Sequence, residues 1–214
     1  MDKSERFWDK MAKHQDKDIN RFKQAHIKTL ESTRQFLNAD AIVLDFGCGT
    51  GIKTLEIARH VKKIYGIDIS AKVIEIAKEK AARYKIMNVD FAQATLHDER
   101  YKKESFDIIL AFNMLHLFKD NRPIMQRIAE LLKPGGLFIS ISPCLGEKMA
   151  LLTKLQFYLF LIPSKMGLTP YIKIFKFYEL ENLLSNEDLQ IIETEIFYDR
   201  LSGYFTVAKK IKGN

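Results

Sequence analysis

Along the first forty residues, apolar side chains return at every third or fourth position. Phe22, Ala25, Ile27, Leu30, Phe36 and Leu37 keep the period of a helix with one buried face. The pattern then changes. Ala41–Phe46 (AIVLDF) is a short apolar run of strand type that leads directly into glycines. Lys53–His60 is helical in spacing, and Lys62–Asp68 (KKIYGID) is a second strand. Ser70 is placed to cap the next helix, whose inward stripe is Val73, Ile74, Ala77 and Ala81. Asn88–Ala94 alternates as a strand, and Phe106–Asn113 (FDIILAFN) is a continuous apolar run suited to burial on both faces. A helix from Asn121 to Lys133 stops before Pro134-Gly135-Gly136, and Leu137–Ser142 follows as a fifth strand. Beyond an irregular apolar segment come a helix, Glu179–Leu184, and two strands, Gln190–Phe197 and Gly203–Lys210. The five residues between those strands are too few for a parallel crossover, so an antiparallel hairpin is predicted. Strand and helix alternate five times, which predicts an α/β doubly wound, mostly parallel sheet.

Composition adds limits. The 214 residues carry no repeat, low-complexity tract or Pro/Gly/Ser-rich linker, so one domain over 1–214 is expected. Helices occupy 1–40 and an apolar, basic insertion occupies 145–178. No apolar run reaches the roughly 18 residues of a membrane span. Charged side chains are spread through the first twenty residues, unlike a secretory signal. Cys48 and Cys144 make neither a disulfide framework nor a metal-ligand spacing, and a reducing cytoplasm is the expected location. Most lysines behind the net charge of +7 alternate with acids at helix-surface spacing. The stretch 145–178 differs: five lysines against one glutamate, with seven of the 24 aromatic residues.

The chemistry concentrates in VLDFGCGTG (Val43–Gly51). A strand that ends in glycines and opens into a helix brings bare backbone amides to a ligand. Gly47, Gly49 and Gly51 are spaced G-x-G-x-G around Cys48. A dinucleotide fingerprint needs its third glycine at position 52, which is Ile52, and no Gly-Lys-Ser/Thr completes a P-loop. Two acids line the same edge. Asp45 precedes the loop, where it would repel a pyrophosphate and attract a sulfonium amino acid. Asp68 ends the second strand, where its carboxylate can accept from two ribose hydroxyls.

VLDFGCGTG, YGIDIS (Tyr65–Ser70), FDIILAFNMLHLF (Phe106–Phe118) and LLKPGGLF (Leu131–Phe138) resemble four successive motifs of the class I S-adenosylmethionine-dependent methyltransferases. Within that family they are most similar to the small-molecule branch of the ubiquinone and menaquinone methyltransferases. The resemblance covers Val43–Ser142. It implies a seven-stranded sheet with the last strand antiparallel and S-adenosylmethionine as cofactor. It also implies cofactor contacts from Gly47, Cys48, Gly49, Asp68 and the region of Phe112. Two positions depart from the pattern. Thr95 stands where an acid that holds the adenine amino group is common. Thr95 Oγ, backbone, and stacking on Ile69 and Leu96 are then expected to hold the base, with Asp98 as a nearby substitute. Gln15 stands where a tyrosine is common in the family's first helix.

Methyl transfer from a sulfonium needs alignment and exclusion of water, and a base only where the nucleophile must shed a proton. His116, just after the fourth strand, is the best-placed histidine, with a capping or packing role as the alternative. The expected acceptor is a small apolar molecule. Nucleic acid is disfavoured: the fourth strand leads into Phe112-Asn113-Met114-Leu115, and Ser142-Pro143-Cys144 lacks the companion Pro-Cys of a cytosine-C5 enzyme. Met149–Ile162 is apolar on nearly all sides, which suits a lid over an apolar pocket or extra core. The basic, apolar stretch 149–177 also allows peripheral contact with an anionic membrane, so a membrane-surface protein that keeps the cofactor fold is the rival reading.

Overall fold

The computed structural model describes residues 3–21, 23–144, 162–164, 166, 169–173, 175–185, 188–197 and 202–211. Two helices, α1 (Lys3–Arg21) and α2 (Lys23–Arg34), precede the sheet. Then follow β1 (Ile42–Phe46), α3 (Ile52–Ala58), β2 (Lys63–Asp68), α4 (Ala71–Tyr84), β3 (Val89–Gln93) and β4 (Phe106–Phe112). A 3-10 turn (Leu115–Leu117) leads to α5 (Arg122–Leu131) and β5 (Leu132–Cys144). The described chain closes with α6 (Phe177–Leu184), β6 (Leu189–Phe197) and β7 (Ser202–Lys210).

The seven strands are ordered β3-β2-β1-β4-β5-β7-β6. The pairs among β1 to β5 are parallel, while β7 runs antiparallel to both β5 and β6. The expected hairpin is therefore present, with β7 inserted between β5 and β6. Alternation along each strand feeds two layers. Leu44, Ile109 and Phe138 turn towards α5 and α6, whereas Val43, Ile108 and Ile139 turn towards α2 and α3. On α4 the expected stripe Val73, Ile74, Ala77 and Ala81 is buried, and Ser70 Oγ accepts from the Val73 amide at 3.3 Å as its cap.

One boundary differs from the sequence expectation. The helix predicted to run to Lys133 ends at Leu131, and Leu132 is already extended, with ψ 136°. A residue followed closely by proline is poorly accommodated in a helix. Lys133 is held instead by the Asp107 carboxylate at 2.8 Å, and the pairing register shifts between Phe106 and Ile108 to absorb the extra residues.

Because β1 pairs β2 on one side and β4 on the other, the strand order reverses between β1 and β4. A crevice is left at their carboxyl ends, where ligands of such sheets bind. Among the described residues no helix is long and apolar enough to cross a membrane. Residues 149–161, the greater part of the expected lid, lie outside the described residues, so that expectation stays one of sequence.

Candidate active site

The glycine loop leaves β1 at Gly47, whose φ of +77° lies in the left-handed region. A Cβ there would sit 2.0 Å from Met114 Sδ, so the backbone favours glycine and any side chain would have to displace Met114. Free loop amides were expected, and here the structure corrects the sequence reading. The Gly47 and Cys48 amides both donate to the Ile67 carbonyl, at 2.8 and 3.0 Å, and the Gly49 amide donates to Asp68 Oδ2 at 3.2 Å. The loop is thereby tied to the end of β2. It offers a ligand a close, Cβ-free approach rather than unpaired donors.

Asp68 is braced on its other oxygen by the Ser70 amide at 2.9 Å. Burial pushes its carboxyl above the usual range, against the backbone hydrogen bonds from Ser70, Gly49 and Ile69. Asp45 is buried at 2% exposure and accepts from Thr54 Oγ1 at 2.6 Å. Burial raises its carboxyl to about 6. Burial likewise lowers the Lys53 ammonium, with the Asp45 charge working the other way. The Cys48 thiol is pushed well up by burial and by the two aspartates, so it is no thiolate at neutral pH.

Two adjoining cavities open here. The larger, about 420 Å³, runs from Gly47, Gly49 and Asp68 past Ile69, Thr95, Leu96 and Phe112. Its far wall is apolar: Phe46, Met114, Leu117, Phe118, Ile124 and Pro170. Phe118 stacks on Phe46 with ring centres 5.7 Å apart. The smaller, about 130 Å³, shares Gly47, Gly49 and Phe112 and adds Asp45, Cys48 and Lys53.

The structure thus brings together Gly47, Gly49, Asp68, Ile69, Thr95, Leu96 and Phe112, with Asp45 and Cys48 in the side cavity. Gly51 lines neither; a Cβ there would press 2.7 Å from the Phe91 ring, so it serves loop packing. Thr95 Oγ1 accepts from the His97 amide at 3.3 Å. Asp98 is engaged by Arg100 at 2.9 Å and lies off both walls. His116 also lies off both walls. Burial lowers its imidazole to about 4, and Nδ1 has no hydrogen-bond partner among the described residues.

Several wall residues escaped the sequence reading. His97 lines the large cavity. Asn113 adopts φ +58° where β4 ends, a conformation that asparagine tolerates better than most residues. An asparagine at the exit of a switch-point strand was the available signal. Ser4 and Trp8 reach the cavity from α1, beside the Gln15 that the family resemblance had singled out, and only the tertiary arrangement places them there.

A family model described as a methyltransferase domain matches residues 37–191. The chain belongs to that family. A ubiquinone biosynthesis O-methyltransferase of Actinobacillus pleuropneumoniae is 31% identical over 163 residues, 73% of this chain and 68% of that protein. The methyltransferase YcgJ of Bacillus subtilis is 32% identical over 115 residues, 54% of this chain, and the match spans 44% of YcgJ's length. The crystal structure of YcgJ superposes with a TM-score of 0.71 at 19% identity, covering 87% of this chain and 99% of that one. An S-adenosylmethionine-dependent methyltransferase of Methanosarcina mazei gives a TM-score of 0.69 at 22% identity, covering 83% and 95%.

The methyltransferase uses S-adenosylmethionine, as its family does. The residues present fit that group. A Cβ-free loop, a braced carboxylate at the end of β2 and a neighbouring pocket with one carboxylate and one ammonium suit a nucleoside joined to a zwitterionic tail. When bound, the cofactor supplies a methyl group already activated on a sulfonium.

Proposed function

We propose that the methyltransferase transfers a methyl group to a small apolar acceptor held in the far half of the large cavity. The observation that carries this reading is the cavity's division, with glycines and Asp68 at one end and a wall of Phe46, Leu117, Phe118 and Ile124 at the other. Asp68 accepts from the two ribose hydroxyls, and Thr95, Ile69 and Leu96 hold the base. Gly47, Gly49 and Phe112 border the passage to the side cavity. There Asp45 takes the α-ammonium and Lys53 the α-carboxylate, each buried charge gaining an opposite charge from the cofactor. The apolar wall excludes water from the reacting atoms and fixes the acceptor in line. His116, neutral and off the wall, is a helper at most.

The ubiquinone O-methyltransferase relatives support a small-molecule acceptor. The described residues before α6 add exposed Ile162, Met166 and Tyr171 near Pro170, which favours an apolar approach to the cavity. One domain over 1–214 in the cytoplasm completes the reading. Calorimetry with S-adenosylhomocysteine, followed by an acceptor screen of thiols, phenols, quinols and amines, tests it. Asp68→Ala is expected to weaken S-adenosylhomocysteine ten- to a hundredfold, about 1.4 to 2.7 kcal/mol. Turnover confined to nucleic-acid substrates, with salt-sensitive binding, would refute the small acceptor.

A further inference from the structure

We propose that Asp9 is a positioning residue for the cofactor: acting through Ser70, it fixes the loop that carries the Asp68 carboxylate, so that α1 sets the strength of ribose binding. The inference rests on the assignment of Asp68 to the ribose hydroxyls.

The geometry runs through three residues. Each Asp68 oxygen already accepts one backbone amide, Oδ1 from Ser70 at 2.9 Å and Oδ2 from Gly49 at 3.2 Å. The Ile69 amide also bears on this carboxylate, whose oxygens, each able to accept more than one donor, keep sites for hydroxyls. The direction of those sites depends on where the Ser70 backbone stands. Ser70 is fully buried, and its hydroxyl donates to Asp9 Oδ1 at 2.5 Å. The same Asp9 oxygen accepts the Lys72 amide at 3.3 Å, in the first turn of α4. Asp9 comes from α1, 61 residues earlier in the chain, and is itself only 9% exposed. A carboxylate brought into the interior from another helix costs free energy unless charge-assisted hydrogen bonds offset it. Here the amide and hydroxyl of the helix start provide them, aided by the α4 dipole.

The second anchor of α1 reaches a different loop. Asp16 accepts from Thr50 Oγ1 at 2.6 Å and pairs with Lys80 at 2.8 Å, which holds the glycine loop. Asp9 and Asp16 of α1 therefore address the two halves of the cofactor site, and of these two Asp9 is the one that reaches the Asp68–Ser70 turn, beside an exposed Glu5–Gln93 contact to the Ile69 carbonyl. This division separates a specific positioning role from general docking of the helix.

The test is calorimetry on the full chain, with S-adenosylhomocysteine and its 2′-deoxyribose analogue as probes. Asp9→Ala is expected to raise the dissociation constant of S-adenosylhomocysteine about tenfold, the scale of losing one charge-assisted hydrogen bond. The deoxy analogue should lose less, so discrimination between the two ligands shrinks. Asp9→Asn keeps an acceptor for Ser70 and Lys72 and should restore discrimination. Lys80→Ala, which removes the ion pair to Asp16 and leaves Asp9 untouched, should leave it at the wild-type ratio. Ser70→Ala removes the link while sparing the Asp9–Lys72 contact, and gives the same readout if Asp9→Ala does not fold. Wild-type discrimination in Asp9→Ala, alongside weakened binding in Asp68→Ala, would overturn the proposal alone. Unchanged binding in Asp68→Ala would overturn the ribose assignment and the proposal with it.

Discussion

Asp45→Asn probes the electrostatics of the site through the stability of the protein itself. The wild-type carboxyl titrates at about 6 instead of 3.8, because burial removes the solvation of its charged form and Thr54 only partly compensates. A folded-state value above the unfolded one contributes stability that is complete below about 3.8. That stability is lost as the pH rises through about 6. A shift of about two units at 1.36 kcal/mol each amounts to about 3 kcal/mol. Asparagine keeps an acceptor for Thr54 and carries no charge. The stability of Asp45→Asn relative to wild type is therefore expected to rise by up to about 3 kcal/mol between pH 4 and pH 7.5, in the absence of cofactor. Urea unfolding at four pH values in that window measures it. Cofactor binding should respond in the opposite sense. The α-ammonium favours the ionised carboxylate, so wild-type affinity for S-adenosylhomocysteine should fall below pH 6 while that of the variant stays nearly flat. A stability difference that does not change with pH would refute the reasoning, since it would mean that the Asp45 charge is solvated in the folded protein.

Gly47→Ala must force a side chain at φ +77° and push against Met114, so a loss of about 2 kcal/mol in stability and of measurable S-adenosylhomocysteine binding is expected by thermal shift and calorimetry. Thr95→Val should cost about 1 kcal/mol of cofactor affinity with the fold intact, and an unchanged dissociation constant would assign the adenine edge to backbone or His97. His116→Ala should cut turnover less than tenfold with a thiol acceptor; a hundredfold loss would make it the general base for an acceptor of higher pKa.

The glycine loop was readable because its requirements are local. The Gly47 position demands positive φ, and that demand is written as a residue type. The placement of Asp68 at the cavity was legible too, as an acid at the end of a strand that follows a loop-bearing one. The boundary of α5 was misjudged because the contest between helix and strand near Pro134 was decided by Asp107, a partner on another strand. The role of the loop amides was misjudged for a similar reason. Their acceptors, Ile67 and Asp68, sit on β2 and become neighbours only when β1 and β2 pair.

The sequence by itself determined the alternation of strands and helices, hence the layers of the sheet and the edge where a ligand binds. Hydrophobic period and turn chemistry are properties of neighbouring residues, and they survive without tertiary information. The four motifs determined the family for the same reason. What only the tertiary structure decided is which distant side chains close the site. The first forty residues read as helix, but nothing in that pattern tells that Ser4 and Trp8 reach the cavity, or that Asp9 meets Ser70. Those contacts depend on the angle at which α1 crosses α4, and that angle is set by packing summed over both helices rather than by any residue alone.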